Sequence, residues 1–178
     1  MKKILVLVVT GLLTLYGCSS IKLVGNYTDG SVFGETELAE EVVWTKIIDY
    51  FALSGMPITT IDKSSGIIVA SNISFVNNYS REDRDGKLIN PSAYVVIPTV
   101  RGGFGNILEP DAKITGIWDM IGDWNVRIKP NSKGGTSINI NLLNLRCFYG
   151  GSGILGTSTK IPIKSTGVFE NNMLQYLK

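Results

Sequence analysis

The chain has 178 residues, of which 17 are Lys or Arg, 15 are Asp or Glu and none is His, for a formal net charge of +2. Two of the basic residues, Lys2 and Lys3, open a hydrophobic N-terminal stretch, and without them the balance is 15 against 15; a neutral chain lacks the phosphate-neutralising excess that dominates nucleic-acid binding, so that partner class is set aside. The absence of His removes the commonest general base, the Ser-His and Cys-His nucleophile pairs and the commonest metal ligand together. No catalytic residue, cofactor or metal site is therefore assigned, and the chain reads as a binding or scaffolding protein rather than an enzyme.

Lys2 and Lys3 are followed by an apolar run from Ile4 to Leu15, with the small residue Gly17 directly before Cys18. This is the layout of a cleavable secretory signal. The run is about a dozen residues, short of the roughly 20 that a membrane-spanning helix takes, so residues 1–17 are expected to be a signal peptide. The step Leu15-Tyr16-Gly17-Cys18 resembles the lipobox of bacterial lipoproteins. That resemblance implies diacylation of Cys18 on sulfur with palmitate-type chains and a mature N-terminus at the same residue. Two or more acyl chains hold a protein firmly, at about 0.8 kcal/mol per buried CH₂. Ser19 stands where an Asp would retain a proteobacterial lipoprotein in the inner membrane. The resemblance thus implies a lipid anchor in the bacterial cell envelope, on the outer membrane facing the periplasm. With Cys18 acylated, Cys147 is the one remaining thiol and no intramolecular disulfide can form.

Residues 18–30, rich in Ser, Asn, Asp and Gly, read as the lipidated N-terminus and a tether. At about 5 to 6 Å times the square root of its length, such a tether holds a domain roughly 20 Å from the bilayer. Residues 31–178 are expected to form a single α+β domain; about 160 mature residues suffice for one sizeable core. Its first element is a long amphipathic helix from Thr36 to Ser54, with Thr36 as N-cap, Glu37 and Glu40 in the first turn, and Gly55 and Pro57 as stops. Trp44, Ile47, Ile48 and Phe51 form its apolar stripe. A hairpin follows, Ile58–Asp62 and Ile67–Phe75, with Gly66 available for a left-handed position. Ile67, Val69, Ile73 and Phe75 are expected on one face of its second strand.

Asn77 to Ser92, with the mixed run Arg81-Glu82-Asp83-Arg84-Asp85-Gly86-Lys87, reads as a solvated loop or small hairpin. Ala93–Val100 is apolar on both faces, and Pro98 marks an edge or a strand end. Lys113–Lys129 reads as one bent strand or two short ones broken near Met120–Asp123, with Trp124, Val126 and Ile128 on one face. After the turn at Pro130–Gly135, Ile138, Ile140 and Leu142 alternate, and then the phase switches to Leu143, Leu145, Cys147 and Tyr149. The switch suggests a β-bulge at Leu142 and Leu143 and places Cys147 inward as a small buried hydrophobe.

Gly151, Gly153 and Gly156 spell the dinucleotide-binding G-x-G-x-x-G, which carries meaning only when it follows a strand and opens a helix. Thr157–Lys164 contains Pro162 and does not read as a helix, and the nearest acid, Glu170, is too close; no nucleotide site is assigned. Lys133-Gly134-Gly135-Thr136 likewise lacks the order of a P-loop. A short C-terminal helix, Gly167–Leu177, carries Phe169, Met173 and Leu177 on one face, capped by Ser165 or Thr166.

The helix with Trp44 and Phe51, the hairpin Ile61-Asp62-Lys63-Ser64-Ser65-Gly66-Ile67-Ile68 and the closing Ser165-Thr166-Gly167-Val168-Phe169-Glu170 together resemble a group of small uncharacterised bacterial lipoproteins. The helix-then-hairpin part, about 40 residues, is similar to the helix-grip repeats of the C lipoprotein of the outer-membrane β-barrel assembly machine, without its second repeat. Neither likeness supplies an active-site residue. The expected architecture is an antiparallel sheet of about five to seven strands with the long helix on one face and the C-terminal helix beside it. The Ser64, Gly103 and Gly151 loops are expected to share one end. The expected function is that of a membrane-anchored envelope lipoprotein that binds or scaffolds an envelope protein partner. The alternative is a binder of a small apolar ligand or lipid in a helix–sheet cleft. An enzyme is the third reading, in which Glu109 with Asp111, or Asp119 with Asp123, would form a carboxylate pair, although acids beside loop-forming Pro and Gly are more often solvated or turn residues.

Overall fold

A computed structural model describes residues 22–99, 117–150 and 158–178. In chain order the elements are strand β1 (Ser31–Thr36), helix α1 (Glu40–Leu53), strands β2 (Thr60–Asp62), β3 (Ile67–Ser74), β4 (Tyr79–Arg81), β5 (Val95–Ile97), β6 (Ile117–Pro130), β7 (Thr136–Gly150), β8 (Ser158–Lys160) and β9 (Lys164–Ser165), and helix α2 (Val168–Tyr176). Five strands form an antiparallel sheet in the order β1-β7-β6-β3-β2, and β8 pairs with the last residues of β7. The fold is α+β, as expected. A second sheet, β4-β5-β9, has a parallel pair, β4 with β5, that was not expected. Its strands are two or three residues long and carry no readable alternation.

Alternation sets the frame. Trp124, Val126 and Ile128 on β6 lie in register with Leu142, Ile140 and Ile138 on β7, and all six are buried. Of the two forms expected for this segment, β6 is the single strand, and its register against β7 shifts between Ile121 and Asp123, within the expected region. In the β2–β3 hairpin Asp62 accepts hydrogen bonds from the backbone and hydroxyl groups of Ser64 and Ser65. These donors hold its carboxyl down at about 2. Gly66 has φ 75°, and a Cβ there would lie 2.2 Å from the Ile128 carbonyl oxygen, so the left-handed glycine expected from sequence is also required by close approach.

Two bulges correct the expected faces. In β3 the buried residues are Ile68 and Ala70, then Ile73, followed by Phe75 just past the strand, with Ile67 and Val69 turned to the other side. The register slips between Ala70 and Ile73, and Asn72 sits there at φ 57°. In β7 the phase switch occurs at Asn144, φ 53°, one position beyond the expected pair. Leu143 therefore faces outward, 48% exposed, while Cys147 is buried as expected. Each bulge adds one residue to one strand, which is why alternation read straight through it assigns the wrong face.

Helix α1 has 14 residues, not the expected run from Thr36, because residues up to Thr36 pair with β7. Its N-cap is Ala39, with Glu40 and Glu41 in the first turn where the dipole favours acids. Val43, Trp44, Ile47 and Phe51 are its buried residues, and Ile48 is half-buried. Helix α2 lies beside α1 on the same face of the large sheet and buries Phe169, Met173 and the flanking Leu177. The Phe169 ring stacks on Trp124 at 4.2 Å and meets Tyr50 and Tyr94 edge-on. The N-cap of α2 is Gly167 in a left-handed conformation. Ser165 and Thr166, the expected caps, accept instead from the amides of Gly167 and Val168. Leu174 of α2 lies over Gly34 of β1, where a Cβ would approach it to 2.5 Å.

The described part of the stretch read as a tether, residues 22–30, is packed onto the fold. Both carboxylate oxygens of the buried Glu82 accept backbone hydrogen bonds, from Val24 at 2.7 Å and Gly25 at 3.0 Å. The Tyr27 hydroxyl donates to the Gly86 carbonyl, and Thr28 bridges to Ser165. Asp29 pairs with Lys164 at 2.8 Å. The mixed-charge run is the small hairpin that was one of its two expected forms, Glu82 bridging Leu88 across the turn at Asp83–Lys87, and its buried Glu82 makes it a docking point as well. No described helix is long and apolar enough to cross a membrane.

Candidate functional site

Both helices cover one face of the large sheet, and the opposite face carries the side chains that alternation turns away from the core. In register across β1, β7, β6 and β3, one row reads Phe33, Asn139, Arg127, Ile67 and the next reads Ser31, Asn141, Asn125, Val69. A one-sided antiparallel sheet ordinarily presents polar residues to water. Here the asparagines fit that rule, but Phe33 is 60% exposed, and Leu143 stands out on the same face opposite Asp123. The Oδ1 of Asn139, beside Phe33, is buried and has no hydrogen-bond partner.

Asp123 is the organising carboxylate of this face. Its Oδ1 accepts from the Asn72 amide at 2.7 Å and its Oδ2 from the Asn144 side-chain amide at 2.6 Å. These are the two described non-glycine residues with positive φ, one in each bulge flanking β6. One acid thus secures both register shifts, and asparagine tolerates the left-handed conformation better than other side chains with a Cβ. Asp119, four residues away on the same strand, pairs with Arg146 at 3.4 Å. At about 3.3 Å per residue the two acids are some 13 Å apart along β6, so they do not form a carboxylate pair. Glu109 and Asp111 lie outside the described residues.

Two buried groups complete the chemistry. Burial pushes the Cys147 thiol up to about 11, with the charge of Asp119 adding to the shift; a thiol held in its neutral form is a poor nucleophile. Glu170 is fully buried on α2 and accepts from the Ser165 hydroxyl at 2.6 Å, while its second oxygen has no partner. Desolvation raises its pKa, partly opposed by Ser165. No group of three or more potential metal ligands occurs among the described residues.

The contact between α1 and the sheet is filled by Trp44, Ile47, Phe51, Trp124 and Phe169, all at most 2% exposed. A groove of about 310 Å³ remains beyond the helix end, between Ser54–Pro57 and Asn72–Phe75, and its lining mixes Met56, Ile73 and Phe75 with Ser54, Asn72, Ser74 and Asn78. A larger cleft of about 490 Å³ lies between the N-terminal arm, at Lys22, Leu23 and Gly25, and the segment Lys160–Lys164.

Cys18, the predicted lipidation site, lies outside the described residues, as do Gly103 and the Gly151–Gly156 glycines, so the expected sharing of one end by their loops is not described. The residues that follow those glycines enter β8, a strand. Phe33 and Glu82 were missed as functional positions. Phe33 carries no clear signal, because Val32 and Phe33 are adjacent apolar residues followed by Gly34 and the segment does not alternate. Glu82 carries none, because it is one of three acids in a charged run. Compared with known proteins, the chain matches no protein-family model and no curated protein.

Proposed function

We propose that this protein is a cell-envelope lipoprotein of the small bacterial type its sequence resembles, anchored through acylated Cys18 to the outer membrane on its periplasmic side. Its folded part binds or scaffolds an envelope protein partner and performs no catalysis of its own. The observation that carries the binding role is the open sheet face, where an aromatic side chain 60% exposed sits among asparagines on a regular scaffold. Aromatic residues framed by polar groups are the characteristic anchors of protein interfaces. The test places a photo-crosslinking amino acid at Phe33 or Leu143 in intact cells, with exposed Gln175 on α2 as control. One discrete protein adduct from the two sheet positions and none from Gln175 is the expected result. Adducts to lipid alone, or the same adducts from all three positions, would refute it. A small apolar ligand has the 310 Å³ groove at the end of α1 as its place, and half-polar lining makes this the weaker reading.

A further inference from the structure

The cleft between the N-terminal arm and Lys160–Lys164 has a composition that the partner-binding face does not explain. Its charged lining residues, Lys22, Lys160 and Lys164, are all basic, and Leu23, Leu145, Ile161, Pro162 and Ile163 supply its apolar lining. Among the described ion pairs, Lys164 is matched by Asp29, and Lys22 and Lys160, both exposed, take part in none. Next to the cleft Val24 is 67% exposed although its amide is held by Glu82. Of the apolar lining residues Pro162 is exposed, Leu23, Leu145 and Ile163 are half-buried and Ile161 is buried. Lysines beside exposed apolar side chains such as Val24 and Pro162 form the pattern of a surface that enters the headgroup region of a membrane.

We propose that this cleft is where the folded domain rests on an anionic phospholipid surface, Lys22 and Lys160 meeting lipid phosphates while Leu23, Val24 and Pro162 enter the headgroup layer. The inference rests on the lipid-anchor reading for its geometry. Cys18 precedes Lys22 by four residues, which even fully extended reach only about 14 Å. The arm that begins at Lys22 is fixed to the domain by Glu82, so an acylated Cys18 brings this cleft to the bilayer and no more distant one. Each lysine near an anionic surface contributes about fivefold to partitioning, and ionic strength screens the effect.

The test uses the full chain purified from membranes and reconstituted into vesicles of phosphatidylcholine alone or with about one third phosphatidylglycerol. A soluble amine-acetylating reagent is applied and lysine modification is followed by mass spectrometry. Lys22 and Lys160 should react several-fold more slowly on the anionic vesicles, and high salt should restore their rates. Lys63 and Lys133, in the turns at the opposite end of the long strands, should react equally on both. Equal rates for Lys22 and Lys160 on the two vesicle types would overturn the proposal. A chain that does not float with the neutral vesicles and whose Cys18 carries no lipid mass tells against the anchor alone. Protection of Lys22 and Lys160 by added anionic vesicles then still supports the cleft, and its absence overturns it.

Discussion

Glu82→Gln should release the N-terminal arm while leaving the rest of the fold in place. Glu82 is 2% exposed, and its two oxygens accept the Val24 and Gly25 amides at 2.7 and 3.0 Å. A hydrogen bond to a charged group contributes about 1.5–3 kcal/mol net. Glutamine keeps one acceptor, removes the charge and turns an NH₂ toward one of the amides, so at least one such bond is lost. At 1.4 kcal/mol per factor of ten, hydrogen exchange at Val24 and Gly25 should accelerate about 10- to 150-fold. The backbone bonds of the same residue, from Glu82 N–H to the Ile97 carbonyl and from the Thr99 hydroxyl to the Glu82 carbonyl, do not involve the side chain. Exchange in β5 and in the long strands β6 and β7 should therefore stay near wild type. Amide exchange read by NMR or by mass spectrometry of short peptides resolves the two regions. Unchanged protection at Val24 and Gly25 would refute the view that Glu82 holds the arm. Equal acceleration everywhere would show that the residue supports the whole core instead.

Three other outcomes follow from the same structure. Glu170 has a raised pKa in the fold relative to its ordinary 4.5, so its stabilising contribution is complete below that value and is lost as pH rises through the raised one; urea unfolding between pH 4 and 8 should show this loss, at most about 1.4 kcal/mol per pH unit, and Glu170→Gln should flatten it, an unaltered slope counting against the assignment. Asp123→Ala should cost about 1–2 kcal/mol by removing the acceptor for both bulges, whereas Asn72→Gly should cost about 0.5 kcal/mol or less because Asn72 contributes only its backbone amide there, and Asn72→Val should cost about 1–2 kcal/mol more for placing a branched side chain at positive φ; chemical denaturation ranks the three. Gly66→Ala should be distinctly worse than Gly55→Ala, since both have positive φ but only Gly66 has a carbonyl oxygen 2.2 Å from the new Cβ; melting temperatures that fall equally would mean that conformation rather than the clash sets the cost.

How much of this was legible in the sequence depended on whether local pattern or long-range pairing decided each element. The hairpin turn at Asp62–Gly66, the inward side of Trp124, Val126 and Ile128, and the C-terminal stripe of Phe169, Met173 and Leu177 follow from spacing alone, and the structure has them. Strand β1 was hidden because its inward residue opposite Ile138 is Gly34, small to admit Leu174 from the end of the chain; that constraint is invisible without the tertiary contact. The faces of β3 and the outward turn of Leu143 depended on bulges stabilised by Asp123 from the neighbouring strand. Glu82 looked solvated because its partners, Val24 and Gly25, are 58 and 57 positions away. In the candidate sites, residue type pointed correctly to Cys147 as a buried thiol, but the open face and the lysine cleft are properties of register and docking, which composition does not encode.

Docking of the arm changes what the anchor would do. A free tether of 13 residues spans about 20 Å and lets a domain tumble, whereas three residues between Cys18 and Lys22 span about 10 Å. The cleft adjoins Leu145 and Lys160, toward the far end of β7, and the β6–β7 turn at Asn131–Gly135 lies at the other end. If the cleft rests on the bilayer, the long strands lead away from it for about 30 Å, at roughly 3.4 Å per residue from Leu145 to Thr136. Phe33, paired with Asn139, then stands well above the membrane surface on a sheet face turned sideways. A lipid-facing end and a partner-facing side would thus be separate surfaces of one rigid sheet, and a partner captured at Phe33 would be held at a defined height above the bilayer. Loosening the arm with Glu82→Gln should broaden that height and weaken the Phe33 adduct without touching the face that makes it.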